Sequence, residues 1–171
     1  MSNKDLVGSS NFKEIYSLYG PKVYRICLGY FGNPEKAKDL TQDTFISVWN
    51  NLSSFKNKSL LGTWIFKIAT NQCLRNLEKS TKIKWVELPD NLIEEKNIEQ
   101  ENSKEEKLNY LYQCIRDLPE MEKIIMILLL EDLPQAEISE IIGISEGNLR
   151  VKIHRIKVKL SLQFKNYGGF E

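Results

Sequence analysis

The chain has 171 residues, 42% of them hydrophobic and 27% charged, with a formal net charge of +1, an ordinary globular composition with room for one medium domain or two small ones. Its longest apolar run, Ile124 to Leu130, is seven residues, far short of a membrane span. Three separated cysteines, Cys27, Cys73 and Cys114, with no Cys-x-x-Cys, argue against a disulfide framework or a zinc site.

The predicted elements are helical throughout. The opening "MSNKDLVGSS" lacks the apolar core of a signal peptide, so a soluble cytoplasmic protein is expected. Phe12, Ile15, Tyr16 and Tyr19 recur at three- and four-residue intervals, and Val23, Ile26, Cys27 and Tyr30 continue the pattern as a second segment past Gly20-Pro21. Gly32 ends it. Asn33 as cap and Pro34 at the first helical position start the third, which carries Leu40, Thr44, Phe45, Val48, Trp49 and Leu52. A polar loop follows at 53–62. Trp64, Ile65, Ile68, Ala69 and Leu74 mark a fourth helix, from Thr63 to near Lys79. No alternating strand pattern with hairpin turns occurs.

From Ser80 to Lys104 the periodicity fades into "LPDNLIEEKNIEQENSKEE" and its flanks. This acidic, aromatic-poor stretch cannot bury enough apolar surface to offset its ordering entropy and reads as a flexible linker. Charge is sorted around it: residues 1–86 carry a net +7, residues 87–106 a net −6, and residues 107–171 are balanced. Helical spacing returns at Leu108, Leu111, Tyr112 and Ile115. Pro119 starts a helix through Leu130, Pro134 the next, and Ser145 the last.

The closing pair of helices has the pattern of a DNA-reading helix-turn-helix. Ile138, Ile141 and Ile142 form one apolar face, small Ser139 admits a close neighbour, Gly143 suits a left-handed helix end, and Ser145 caps the next helix. There Leu149, Ile153, Ile156 and Leu160 bury one stripe, while Asn148, Arg150, Lys152, His154, Arg155, Lys157 and Lys159 occupy the others. From Arg150 to Lys165 there are six cations, one His and no acid; a merely solvated face normally mixes signs, so the run points to phosphate and base contacts. His154 is a phosphate or packing contact rather than a metal ligand. No metal-ligand cluster, phosphate-cradling glycine loop or catalytic triad is present, so neither a cofactor nor an enzymatic activity is expected.

The segment "LPEMEKIIMILLLEDLPQAEISEIIGISEGNLRVKIHRIKVKL" resembles the promoter-reading C-terminal domain of bacterial extracytoplasmic-function sigma factors. "YGPKVYRICLGYFGNPEKAKDLTQDTFISVWNNLSSF" followed by "GTWIFKIATNQCLRNL" is similar to the other conserved domain of that group. The resemblance implies an all-α fold of two small helical domains: residues 8–79, binding core polymerase and reading and melting the minus-ten element; a linker, 80–104; and a helix-turn-helix domain, 105–165, reading the minus-thirty-five element. It implies that Asp39, Gln42 and Asp43 grip the β′ coiled coil of core RNA polymerase, with the β flap as a further contact. Phe55 becomes a base-pocket wall, and Lys56, Lys58, Lys67 and Arg75 phosphate contacts. Asn71 takes a base-edge or capping role, and Trp64 packs in the core or meets a base. In the last helix, Ser145, Asn148, Val151 and Lys152 lie where sequence is read, and Arg150, His154 and Arg155 read bases or hold phosphates. An anti-sigma factor is the implied inhibitor, no membrane insertion is implied, and the linker corresponds to a strand threaded through polymerase channels. The chain departs from the usual pattern at Thr70, Arg75 and Glu78, and at Asn148, Val151 and Lys152, positions expected to face DNA, so no family promoter sequence transfers. The rival reading is a conventional helix-turn-helix regulator that binds duplex DNA without polymerase; it leaves "KDLTQDTF" unexplained.

Overall fold

The computed structural model describes residues 12–56, 58–80 and 102–166, and among them every regular element is a helix. In chain order these are α1 (Phe12–Phe31), α2 (Pro34–Asn51), a 3-10 turn (Leu52–Ser54), α3 (Leu61–Ser80), α4 (Asn102–Arg116), α5 (Glu120–Leu130), α6 (Gln135–Ile142) and α7 (Glu146–Asn166). The expected all-α fold of two small helical domains is the one observed, α1–α3 forming one and α4–α7 the other.

Gly20-Pro21 does not divide α1, contrary to the sequence expectation. Proline there lacks the N–H for the Ser17 carbonyl, at a cost of about 3 kcal/mol. The same helix buries Ile15, Val23, Ile26, Cys27 and Tyr30 along one face packed on α2 and α3. At roughly 1.5–3 kcal/mol per buried large apolar side chain, that face outweighs the proline. The start of α2 is as anticipated: Asn33 Oδ1 accepts from the Lys36 amide at 2.9 Å and Pro34 opens the first turn. The third helix begins at Leu61, not Thr63. Its second residue, Gly62, lies so close to Tyr19 that a Cβ would stand 2.8 Å from the ring, which is why glycine occupies a buried helical position there. Ser80 and residues 102–104, assigned to the linker from sequence, belong to α3 and α4; the rest of that linker, and with it the path through polymerase channels, lies outside the described residues.

Pro119 and Pro134 precede α5 and α6 as cap residues, and their carbonyls accept from Lys123 and Ile138 amides at 2.9 and 3.0 Å. Gly143 ends α6 at φ 78°. Its amide and that of Ile144 both donate to the Ser139 carbonyl, at 2.8 and 3.1 Å. Ser145 Oγ then accepts from the Asn148 amide at 3.3 Å and opens α7. The tight corner between the two helices is fixed by these three bonds. Nothing lies within 4 Å of a Cβ added at Gly143, so Gly143→Ala tests backbone conformation alone. It is expected to lower stability by about 1–2 kcal/mol, the cost of holding an L-residue left-handed, read as a reduced urea midpoint at unchanged m-value.

The two domains dock on each other, α1 against α4 and α5, and α3 against α6. Lys22 Nζ donates to the Glu131 carbonyl at 2.9 Å, and the Arg25 guanidinium grips the Glu131 carboxylate with contacts of 2.8 to 3.0 Å. Tyr30 donates to Glu120, whose other oxygen is 3.3 Å from Lys123 Nζ. Burial and that hydrogen bond push the Tyr30 phenol well above its ordinary pKa. On the other side Thr63 Oγ1 donates to Glu137 at 2.8 Å and Lys67 Nζ approaches the Glu140 carbonyl at 3.4 Å. Cations and hydroxyls of the first domain thus meet acids and carbonyls of the second.

Candidate functional site

The first candidate face lies on α2. Asp39, Gln42 and Asp43 are all exposed, while Leu40, Thr41, Thr44, Phe45 and Val48 turn inward. The helix is pinned from behind: Thr44 Oγ1 donates to Gln72 at 2.9 Å, and Gln72 Nε2 donates to the Asp43 carbonyl at 3.1 Å and to Ser47 Oγ at 2.8 Å. The three polar side chains therefore project from a rigid element. Sequence reasoning missed how far this face extends. Ile46 is 58% and Trp49 52% exposed, although Trp49 was read as part of the apolar pattern. Part of its ring packs edge-to-face with Phe12, centroids 4.9 Å apart. The available signal was the spacing 39, 42, 46, 49, which follows one helical stripe. Together these residues give a polar centre beside an apolar shoulder, the anatomy of a protein-binding patch.

The second face combines the turn after α2 with α3. Phe55 and Trp64 are half-buried, their rings tilted by 35° with centroids 5.0 Å apart. The two alternatives for Trp64 thus meet in one place: its ring packs on Phe55 and keeps an accessible part. Lys56 and Lys58 are exposed beside Phe55. Lys67, Asn71 and Arg75, four residues apart, form one exposed stripe along α3. Arg75 also lines a groove with Asp43, Ile46 and Ser47, so it sits next to the first face. Thr70 corrects the sequence reading. It is only 2% exposed, its hydroxyl donating to the Phe66 and Lys67 carbonyls, so it does not face outward as expected. Two rings flanked by mobile cations can hold an unstacked base and its phosphates.

The third face is the outer side of α7. Leu149, Ile153, Ile156 and Leu160 are buried against the rest of the domain, as expected. Ser145, Asn148, Arg150, Val151, Lys152, His154 and Arg155 are all exposed. The Arg150–Glu146 contact is long, 3.9 Å, between two largely exposed side chains, and leaves the guanidinium available. This is a basic helix presented by a rigid corner, the geometry that enters a major groove. Among the described residues no group of three His, Cys, Asp or Glu is placed to hold a metal ion, and no helix is long and apolar enough to cross a membrane.

Comparison with known proteins places both halves. Residues 15–83 match the family profile described as Sigma-70 region 2, and residues 108–160 match Sigma-70, region 4. The chain is 26% identical to the ECF RNA polymerase sigma factor SigW of Bacillus subtilis (strain 168) over 171 residues, covering 91% of this chain and 89% of that one. It is 27% identical to the RNA polymerase sigma factor YlaC of the same organism, covering 88% of this chain and 90% of that one. The fold is shared with CnrH, solved in complex with the cytosolic domain of CnrY (TM-score 0.72, 16% identity, 96% of this chain and 95% of that one). It is shared also with the sigma factor RpoE of Bartonella quintana, solved with the anti-sigma factor NepR (TM-score 0.65, 19% identity, 90% of this chain and 96% of that one).

Proposed function

This chain belongs to the extracytoplasmic-function group of the sigma-70 family, and from that membership we propose how its three faces divide the work of promoter-specific initiation. The chain binds core RNA polymerase and directs it to promoters. Residues 8–79 form the polymerase-binding and minus-ten domain and residues 105–165 the minus-thirty-five domain. Asp39, Gln42 and Asp43 hold the β′ coiled coil, with Ile46 and Trp49 as an apolar shoulder. Phe55 and Trp64 receive an unstacked base, and Lys56, Lys58, Lys67, Asn71 and Arg75 hold the strand around it. Unstacking costs a few kcal/mol per base and a stacking contact returns about 1–3 kcal/mol, so one such corner cannot melt a promoter alone and shares the task with polymerase. The protein acts in the cytoplasm as a recognition subunit, with no bond chemistry of its own. The likeness to CnrH and RpoE, each solved with a partner that binds it, supports an anti-sigma factor as the inhibitor.

The observation that carries this reading is the co-occurrence, in family order, of the α2 face and the basic α7 corner. A helix-turn-helix regulator acting without polymerase has no use for the first. The test is reconstitution: core polymerase plus this chain should transcribe from a linear promoter drawn from its source genome, and neither alone should. A chain that footprints duplex DNA alone and never co-migrates with core polymerase would refute the reading.

Within α7, Asn148, Val151 and Lys152 are the sequence readers, Ser145 caps the helix beside them, and Arg150, His154 and Arg155 contact bases or phosphates. Loss of a base contact should cost about 1–3 kcal/mol and relax preference at one position. Loss of a phosphate contact should weaken every sequence alike and reduce the salt slope by about one. Promoter libraries read with Lys152→Ala and Arg155→Ala separate the two classes. Unaltered preference in both, with unaltered salt slope, would remove α7 from recognition.

A further inference from the structure

Two thiols in the first domain have no part in the function described above. Cys27 on α1 and Cys73 on α3 are fully buried, with Sγ atoms 3.9 Å apart. The third cysteine, Cys114, belongs to α4 in the other domain. We propose that Cys27 and Cys73 form an oxidisable pair that closes into a disulfide across α1 and α3, with hydrogen peroxide as oxidant.

Geometry carries most of this. A disulfide needs the sulfurs about 2.05 Å apart, so the gap closes by about 1.9 Å, shared between two side chains on helices that already pack together. Chemistry makes the two sulfurs unequal. The S–H of Cys73 points at Cys27, and that bond holds the Cys27 thiol below its ordinary pKa, while the same bond and burial push Cys73 up. Cys27 is therefore the attacking sulfur and Cys73 the resolving one.

The steps balance. The Cys27 sulfur attacks one peroxide oxygen, the O–O bond breaks, and the departing hydroxide takes the thiol proton as water, leaving a sulfenic acid. The Cys73 sulfur then attacks the Cys27 sulfur, the S–O bond breaks, and the hydroxyl leaves as a second water with the Cys73 proton. Two thiols and one hydrogen peroxide become one disulfide and two waters. Burial makes the reaction slow, since the oxidant enters only when α1 and α3 part transiently. It also protects the product from reduction by bulky thiols.

The product ties α1 to α3 beneath the proposed polymerase and minus-ten faces, which stay exposed. Oxidation should stiffen the domain without blocking it. The full chain, treated with graded hydrogen peroxide, is quenched by N-ethylmaleimide in denaturant and mapped by mass spectrometry. The expected result is one cross-linked peptide pair containing Cys27 and Cys73, loss of two hydrogens, and a single label on Cys114. The melting temperature should rise by roughly 5–10 °C and return with dithiothreitol. Cys27→Ala and Cys73→Ala should each abolish the cross-link and the shift. Three labels at every dose that oxidises a reference dithiol, or cross-links that involve Cys114 instead, would overturn the proposal. The wild-type measurement decides even if a variant folds poorly.

Discussion

Replacing Asp39, Gln42 and Asp43 together with alanine is expected to lower affinity for core polymerase by roughly 100- to 1,000-fold. Hydrogen bonds to charged groups contribute about 1.5–3 kcal/mol each, so the two carboxylates alone lose at least about 3 kcal/mol, where 1.4 kcal/mol is tenfold. The fold should not suffer. All three side chains are exposed, alanine is the best helix former, and the α2–α3 bonds on this side use the Asp43 carbonyl and Ser47, not the replaced side chains. Trp49→Ala should add a further loss from the apolar shoulder, smaller because Trp49 is only about half exposed, packed in part on Phe12. Co-migration with core polymerase and a fluorescence titration measure the effect, with far-ultraviolet circular dichroism as the control. A triple variant that assembles with parental affinity would move the polymerase contact off this face.

Why this face was only partly legible is physical. Local chemistry wrote most of the fold into the chain: Asn33-Pro34 and Ser145 as helix starts, Gly143 as a left-handed stop, and Leu149, Ile153, Ile156 and Leu160 as one stripe all stand where period and cap rules put them. Pro21 was misread because propensity is local and the buried face that overrides it is not. Trp49 was read as part of the apolar pattern, and an apolar residue on a helix says nothing about which neighbour is missing; an exposed Trp is seen only once the partners are placed. Thr70 failed for the opposite reason, a polar residue that satisfies its hydroxyl on its own helix and so needs no solvent. Docking of the two domains left no trace at all. Lys22–Glu131 and Thr63–Glu137 join residues 109 and 74 positions apart, and no periodicity reports a contact at that separation.

That docking yields the second large effect. Elements ten and thirty-five base pairs upstream are about 25 base pairs apart, roughly 85 Å at 3.4 Å per step. A compact chain of this length has a radius of gyration of about 15–16 Å and cannot touch both. The residues between Ser80 and Asn102 can extend at most roughly 70 Å, enough with the domains themselves to span the promoter once the docked faces part. On the proposed division of faces the docked form cannot engage both elements, and in it Lys67 Nζ, though exposed, lies 3.4 Å from the Glu140 carbonyl. Its grip includes charged and polar bonds on both sides of the interface. Moving an equilibrium from 99:1 to 1:99 takes about 5.5 kcal/mol. One contact does not supply that: Arg25 is 53% exposed, so its pair with Glu131 counts at the low end. Two changes together go further: an arginine at position 131 would face Arg25 with a like charge, and a lysine at position 137 removes the carboxylate that accepts from Thr63. Glu131→Arg with Glu137→Lys is expected to expand the free chain, raising its radius of gyration in solution scattering by several ångström beyond the compact value of about 16 Å. Its apparent affinity for core polymerase should rise by the factor that docking had withheld. High salt should expand the parent toward the variant and change the variant little. A double variant as compact as the parent at every ionic strength would show that apolar contacts such as Gly29 on Ile127, not the charges, hold the domains together.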